Sequence, residues 1–330
     1  MKCIHFTLAL MLIAVMSCKG GNGNAKTQVK EEHGAILPVK FNADSAYSYV
    51  KAQVDFGPRI PGSDGHKACK DYIIGQLTRF GADTVVVQNF KATNYLGSEL
   101  PLTNIMGRYN PGADDRVLLV AHWDTRPWAD ADPDINKRSL PVPGANDGAS
   151  GVGVLLELAR LFNEKSPDVG VDLLFVDGED SGNSGSWGSN EDTWCLGTQY
   201  WVKHMPYKAE NTPRYGILLD MVGGIDARFY REYVSESSAS EVNDKVWSNA
   251  SAAGFDKYFL NNVRGGITDD HIFINRAGIP CIDIIECSHP STGSFSPVWH
   301  TVSDDMEHIG KATLGAVGQT VANTVFNEKK

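Results

Sequence analysis

The sequence has few basic side chains for its acidic content and no closely paired cysteines. Its 330 residues include 30 Lys and Arg against 40 Asp and Glu, which gives a formal net charge of −10 at pH 7. Because a chain this acidic is poorly suited to a phosphate backbone, we expect no nucleic-acid partner. None of the six cysteines forms a CxxC pair, which excludes a zinc knuckle. With 42% hydrophobic and 21% charged residues, the composition is that of a globular protein.

The apolar stretch near the N-terminus is too short to cross a bilayer comfortably. It extends from Ile4 to Met16 after the positively charged Lys2, which predicts an export signal peptide of the lipoprotein type over residues 1–17. Ser17 before Cys18 resembles the cleavage site of bacterial lipoproteins, in which the cysteine is acylated. We therefore expect a periplasmic protein that is anchored to the outer membrane only through a lipid on Cys18. Plain secretion is the alternative.

The rest of the chain is predicted to be a tether followed by one folded domain. Residues 18–40 are polar and rich in Gly, Asn, Lys and Gln, which favours a flexible tether. From residue 41 to 330, apolar runs such as Val117–Val120 alternate with helical patterns, which predicts a single three-layer αβα domain. Its central sheet should be mixed, mostly parallel and twisted. Four cysteines in this domain could be buried thiols or disulfides, and their pairing is left open: Cys69, Cys195, Cys281 and Cys287.

Acidic residues and histidines follow several apolar runs at the point where each run ends. His122, the pair Glu179 and Asp180, and Asp220 each come after such a run, and His300 follows the last one. Because ligands of α/β sheets bind beyond the carboxyl ends of the strands, we expect these side chains to lie at one edge. Imidazole and carboxylate groups without thiolates match the ligands of a catalytic zinc ion.

Each of these residues alone is weak evidence. A single histidine after a strand is more often a structural residue than a metal ligand. Asp147 lies in the Gly-rich segment 143–151, where its side chain could instead cap the helix that we expect to begin near Gly151. Several such groups at successive strand ends make coincidence a poor explanation.

The segments around these residues resemble a known family. They are similar to the zinc-dependent, peptidase-like M28 family, which contains bacterial leucyl-type aminopeptidases and glutaminyl cyclases, and the chain resembles the bacterial glutaminyl cyclases. The resemblance extends from Phe56 to about Ile309 and implies a zinc exopeptidase-like fold. The motifs that carry it are Gly57–Ser63, Ala121–Asp124, Asn146–Gly151, Asp177–Asp180, Leu218–Asp220, Asp269–His271 and Val298–Thr301.

The resemblance implies a metal site and a general base. The cyclases hold one zinc ion at positions that match Asp147, Asp180 and His300, and they keep a general base at the position of Glu179. Asp180 stands where many relatives have Glu, so it stays open which of the two adjacent acids is the ligand and which is the base. In the aminopeptidases, two zinc ions are held at positions that match His122, Asp147, Asp180, Asp220 and His300.

Two features of the resemblance favour a cyclase over a peptidase. Asp269 matches an acid that forms a hydrogen bond with the acid at Asp220 and assists at the leaving amide, so both are implied to be catalytic. Trp187 and Trp299 are implied to bind substrate, since aromatic walls would hold an uncharged glutamine side chain and exclude water. Five indoles are expected near the site, although some could instead pack the core: Trp123, Trp128, Trp187, Trp194 and Trp299.

The resemblance therefore implies a zinc-dependent glutaminyl-peptide cyclotransferase. Such an enzyme converts the N-terminal glutamine of peptides and proteins to pyroglutamate and releases ammonia. The alternative is a two-zinc aminopeptidase. A third possibility is an inactive binding module of the same fold, which predicts lost ligand positions, and none is lost. A Ser-His-Asp hydrolase is disfavoured because neither Ser150 nor Ser186 lies in a GxSxG turn between strand and helix.

Overall fold

Runs of aliphatic and β-branched residues form the strands, and amphipathic stretches between them form the helices. The protein is described by a computed structural model, which covers residues 39–185 and 190–329. The strands are β1 Thr84–Thr93, β2 Glu99–Tyr109, β3 Arg116–His122, β4 Gly170–Val176, β5 Tyr215–Leu219, β6 Phe229–Glu232, β7 Phe259–Arg264 and β8 Cys281–Ile284. The helices are α1 Ala43–Asp55, α2 Asp64–Arg79, α3 Ala149–Glu164, α4 Leu196–Trp201, α5 Tyr233–Ala252, α6 Asp270–Arg276 and α7 Lys311–Phe326.

Six of the strands form one mixed sheet in the order β1-β2-β4-β3-β5-β8. β2 pairs antiparallel with both β1 and β4, whereas β3 pairs in parallel with β4 and β5, and β5 pairs in parallel with β8. The predicted mixed, mostly parallel sheet is confirmed. Its parallel half places the carboxyl ends of β3, β4, β5 and β8 along one edge.

Helices cover both faces of the sheet, and successive strand residues pack against opposite layers because their side chains alternate between the two faces. Leu119 lies in a large core cluster that includes residues of α1, α2, α3, α5 and α7. Its neighbours Leu118 and Val120 lie in a second cluster with Trp201 of α4 and Ile274 of α6. The three-layer prediction is therefore confirmed. Replacement of a buried leucine such as Leu119 by alanine would cost about 2–5 kcal/mol.

Two elements differ from the sequence prediction. Apolar residues at helical spacing predict a helix only from Ser240 onward, whereas helix α5 begins at Tyr233. A kink at Ala239, with φ of −148°, separates its polar first part from the part with regular apolar spacing. The two-stranded parallel sheet of β6 and β7 was not predicted. These strands are short and carry charged and amide side chains, so they lack the apolar signal of the main sheet.

The structure also answers the question about the cysteines. All four that lie in the described part are buried free thiols.

No helix among the described residues is both long enough and apolar enough to cross a bilayer. The signal peptide, Cys18, most of the tether and Trp187 lie outside the described residues. Predictions about them stay predictions.

Candidate metal centre

Three parallel strands bring the predicted histidine and acids together. His122 is the last residue of β3, Glu179 and Asp180 follow β4, and Asp220 directly follows β5. Because β3 pairs in parallel with both β4 and β5, these side chains meet at the carboxyl edge of the sheet. All of them are at most 8% exposed.

Asp147, Asp180 and His300 form one buried cluster, which we call the His300 group. His300 Nε2 lies 3.1 Å from Asp180 Oδ1 and 3.5 Å from Asp147 Oδ2. Burial, and then the charge of Asp147, raise the pKa of Asp180 to about 6. Burial alone would lower the pKa of His300, but Asp180 and Asp130 raise it to about 9.

His122, Asp147 and Asp220 form a second cluster, which we call the His122 group. His122 Nε2 lies 3.1 Å from both Asp147 Oδ1 and Asp220 Oδ1, so the two groups share Asp147. Burial alone would lower the pKa of His122, but hydrogen bonds with Asp124, Asp147 and Asp220 raise it well above its usual value. The structure therefore places all five residues of the implied two-zinc set side by side.

The loop that carries Asp147 is fixed by an acid that sequence reasoning missed. Asp304 accepts hydrogen bonds from the backbone N–H groups of Asn146 at 2.8 Å and Asp147 at 3.0 Å. Gly148 has φ of +93°, and a Cβ atom there would lie 2.6 Å from the carbonyl oxygen of Asp124, so only glycine fits. Gly148 is also the N-cap of α3 and makes no side-chain cap. The interpretation of Asp147 as a helix cap is therefore wrong.

A second missed acid, Asp124, orients the turn that carries Glu179 and Asp180. Its Oδ1 accepts a hydrogen bond from the N–H of Glu179 at 3.1 Å, and its Oδ2 accepts one from Asp180 at 3.2 Å. Its Oδ1 also lies 3.5 Å from His122 Nδ1. One fully buried carboxylate thus connects the end of β3 to the turn after β4.

Glu179 lies next to the His300 group, within reach of a thiol. Cys195 Sγ donates a hydrogen bond to Glu179 Oε1 at 3.5 Å. Burial raises the pKa of Glu179 well above its usual value, and the charges of Asp269 and Asp180 raise it further, although His122 opposes this effect. Glu179 therefore holds a proton more strongly than an exposed glutamate does, as a group that accepts a proton from an amine requires.

A buried arginine that the sequence analysis did not identify supports His300. Arg126 binds Asp130 through Nε at 3.1 Å and Nη2 at 2.7 Å, and its Nη1 donates to the carbonyl oxygen of Asp180 at 3.0 Å. Asp130 Oδ1 in turn lies 3.3 Å from His300 Nδ1. A carboxylate behind the ring of a metal-binding histidine fixes its orientation. In the sequence, Arg126 is marked only by its position two residues after the Ala121–Asp124 motif.

The two metal groups open onto a cavity of 340 Å³. Trp299 and Trp194 line it, and the Trp299 ring stacks on His300 with ring centroids 3.7 Å apart. Trp123 does not contribute: it is fully buried and donates from Nε1 to the carbonyl oxygen of Thr103 at 3.1 Å. Trp128 packs instead against Tyr95 and Arg126. The expected ring of indoles is therefore reduced to two among the described residues.

Asp269 also lines the cavity, at the start of α6. Burial, and then the charge of Asp220, raise its pKa well above its usual value. The described residues show no hydrogen bond between Asp269 and Asp220: Asp269 Oδ1 accepts from the N–H of Asp270 at 2.5 Å, and Asp220 faces His122. The expected pairing of Asp269 with Asp220 stays a prediction, and Asp220 also contacts His122 of the second ligand group.

The donor atoms of the His300 group fit zinc. One imidazole and two carboxylates, with an open side toward the cavity, are the arrangement of a catalytic site. The three donor atoms lie within 4.8 Å of one another. Asp180 Oδ1 is buried and accepts no hydrogen bond from the described residues, so an acceptor is available for a cation. The His122 group satisfies the same distance test.

Comparisons with known proteins agree with this arrangement. The model of peptidase family M28 matches residues 104–325. The structure of Bacteroides thetaiotaomicron glutaminyl cyclase bound to N-acetylhistamine is 51% identical, covers 88% of this chain and 99% of its own, and superposes with a TM-score of 0.84. A leucine aminopeptidase precursor from Bacteroides thetaiotaomicron is 49% identical, with coverage of 90% and 100% and a TM-score of 0.83. Glutaminyl-peptide cyclotransferase of Bos taurus is 27% identical over 78% of this chain and 74% of its own length.

Proposed function

The chain belongs to peptidase family M28, and we propose that it is a zinc-dependent glutaminyl-peptide cyclotransferase. It converts the N-terminal glutamine of peptides or proteins to pyroglutamate with release of ammonia. The observation that carries this proposal is the His300 group in the lining of a cavity that also presents Glu179, Asp269 and the indole of Trp299.

Asp147, Asp180 and His300 would hold a single zinc ion. When bound there, zinc would supply Lewis-acid polarisation of the γ-carbonyl group of glutamine. His122 lies beside this site, with its Nε2 atom 3.1 Å from both Asp147 Oδ1 and Asp220 Oδ1. A single ion is what the resemblance to the glutaminyl cyclases implies.

Glu179 acts as the proton shuttle. The substrate α-amine attacks the γ-amide carbon, so that a C–N bond forms within the same molecule and the bond to the amide nitrogen breaks. Glu179 takes the proton from the α-amine and delivers it to the departing nitrogen, which leaves as ammonia. Because the nucleophile and the amide belong to one residue, positioning provides much of the rate.

Asp269 and Asp220 assist on the side of the leaving nitrogen, where Asp269 interacts with the departing amide. Trp299 and Trp194 form the apolar wall that holds the glutamine side chain and excludes water. Trp187 is proposed as a further substrate contact, although it lies outside the described residues. Exclusion of water favours the internal amine over hydrolysis.

A two-zinc aminopeptidase is the second candidate, because the His122 group satisfies the same donor geometry as the His300 group. The products separate the two candidates. A cyclotransferase releases ammonia from a glutamine-initiated peptide and forms pyroglutamate in equal amount, with no amino acid released from a leucine-initiated peptide. Release of free leucine without pyroglutamate formation would reject the cyclotransferase proposal.

We further propose that the enzyme is exported and held at the outer membrane, facing the periplasm, by a lipid on Cys18. Ser17 and Cys18 after a short apolar stretch support this proposal, as does Lys19, which is not an acidic inner-membrane retention residue. In cells, the wild-type chain should incorporate labelled fatty acid and sediment with membranes, whereas the Cys18→Ser variant should do neither. Equal labelling of the two proteins would contradict lipidation at Cys18.

A further inference from the structure

A second buried polar group lies behind Asp269, in a part of the fold that the proposed reaction does not use. Asp283 of β8, His271 of α6 and Glu232 at the end of β6 are all 0% exposed. Donor and acceptor atoms of Asp269, His271 and Asp283 lie within 4.8 Å of one another, and His271 Nε2 lies 3.2 Å from Glu232 Oε2. A continuous row of polar side chains therefore leads from Glu232 to the cavity.

Glu232 anchors this row. Its Oε1 accepts hydrogen bonds from the N–H groups of Val234 and Ile267, both at 2.9 Å, and its Oε2 accepts from the N–H and hydroxyl of Ser235 at 2.7 and 2.8 Å. Burial alone would raise the pKa of Glu232, but the close contact with His271 and the backbone N–H donors lower it to about 2. Since Ile267 lies two residues before Asp269, this ionised carboxylate also fixes the loop that carries Asp269.

Asp283 lies between this anchor and Asp269. Its N–H donates to the hydroxyl of Ser235 at 2.9 Å, and its Oδ2 lies 3.9 Å from His271 Nδ1. Both Asp283 carboxyl oxygens and Asp269 Oδ2 are buried, and none of them receives a hydrogen bond from the described residues. Buried acceptors without donors are costly, and two carboxylates this close cannot both be ionised cheaply. A single proton on Asp283 would resolve both problems by supplying the missing donor.

We propose that Asp283 is a positioning residue that donates a hydrogen bond to the carboxylate of Asp269 and, with His271 and Glu232 behind it, fixes that carboxylate in the cavity. Asp283 itself does not line the cavity, so its effect on turnover passes through Asp269. This inference rests on the proposed cyclotransferase activity, in which Asp269 interacts with the leaving nitrogen. It assigns Asp283 no role in binding zinc.

The test compares two substitutions of similar size at the same position. Asp283→Asn keeps an N–H donor that can reach Asp269, whereas Asp283→Leu removes the donor without leaving a large cavity. We expect Asp283→Leu to lower kcat about 10- to 100-fold, with KM for a glutamine-initiated peptide changed less than about threefold. Asp283→Asn should retain kcat within about threefold of the wild type, and zinc content should be unchanged in both variants.

Ile282→Ala is the matched control, because Ile282 is the neighbouring buried residue of β8 and lies in the core cluster on the other face of the sheet. It should lower the melting temperature and leave kcat unchanged, which separates positioning from general destabilisation. If Asp283→Leu does not fold, Asp283→Ala replaces it, assayed well below its melting temperature, with the same expected loss of kcat.

Two results would overturn the inference: a donor-free variant with wild-type kcat, or an Asn variant as impaired as the Leu variant. Failure of the proposed function itself looks different, because the wild-type protein would then release no ammonia from the glutamine-initiated peptide.

Discussion

The two ends of the central sheet differ in how the charge of their buried acids is neutralised. At the start of β4, Asp172 is 0% exposed and is neutralised by the protein itself: Arg116 binds it through Nε at 2.8 Å and Nη2 at 2.7 Å, and Arg108 Nε binds it at 3.0 Å. Tyr207 adds a hydroxyl donor at 2.8 Å. The carboxylate has its full complement of donors, and its role is structural.

At the carboxyl end of the same strands, buried acids outnumber the buried basic side chains. Buried Arg126 is bound to Asp130, and buried Arg59 donates to backbone carbonyl groups of the loop before Asp147. Burial, and then the charge of Asp147, raise the pKa of Asp304 to about 7, just as they raise that of Asp180 to about 6. The buried carboxylates at this end therefore need bound protons or a bound cation to balance their charge, as a metal centre requires.

The largest effect on turnover should come from Glu179→Gln at the carboxyl end. Because the amide cannot shuttle a proton, kcat should fall about 100- to 10,000-fold while zinc content stays near that of the wild type. Steady-state kinetics and metal analysis of one preparation check this. Loss of zinc in the variant would instead identify Glu179 as a ligand and transfer the role of base to Asp180.

A smaller loss is expected from Asp304→Asn, which weakens the support of the Asp147 loop. Asparagine keeps one carbonyl acceptor where the carboxylate receives two backbone N–H groups, so zinc affinity should fall about 10- to 100-fold. Competition with a chelator measures this. The matched control is Asp305→Asn, since the side chain of the adjacent Asp305 binds the N–H of Glu307 and the ring of His308 rather than the Asp147 loop. Equal zinc affinity of the two variants would contradict the supporting role of Asp304.

The pH dependence of stability should expose the charge imbalance. An acid such as Asp304, whose pKa folding raises to about 7, binds more protons in the folded chain than in the unfolded chain between its two pKa values. The free energy of unfolding of the metal-free protein should therefore fall as the pH rises from about 4 to about 7. Bound zinc replaces those protons, so the Tm gap between zinc-loaded and chelated protein should widen from pH 5 to pH 7. A gap that narrows over this range would argue against the imbalance.

The smallest effect on turnover should come from the amino end. Asp172→Asn leaves Arg116 without its charged partner and should lower the free energy of unfolding by about 3–5 kcal/mol. Denaturant unfolding measures this loss. At temperatures where the variant is folded, kcat should equal that of the wild type. A reduced kcat in the folded variant would mean that the two ends of the sheet are coupled.

The sequence predicted structure best where runs of apolar residues mark the strands. Apolar runs predicted β3, β4 and β5, and the rule that ligands bind beyond strand ends then identified His122, Asp220 and the pair at 179–180. Asp147 in the Gly-rich segment 143–151 and His300 beyond the last apolar run were marked less directly, and the resemblance assigned both of them as metal ligands. The placement of these residues agrees with that expectation, whereas their chemical roles stay proposals.

The residues that sequence reasoning missed act through contacts between distant parts of the chain. Asp304 binds backbone N–H groups more than 150 residues away, and Asp124 does the same for the turn after β4. Any acid can accept from a backbone N–H, so neither residue type nor spacing marks such a position. Trp123 shows the converse: an indole next to a predicted ligand faces the core, because strand residues alternate between the two sides of the sheet.

The most direct test of the account is a zinc titration of the metal-free enzyme with ammonia release from a glutamine-initiated peptide as readout. We predict that activity rises linearly and reaches its maximum at one equivalent of zinc per chain. A maximum only at two equivalents, or full activity before any zinc is added, would contradict a single catalytic ion in the His300 group.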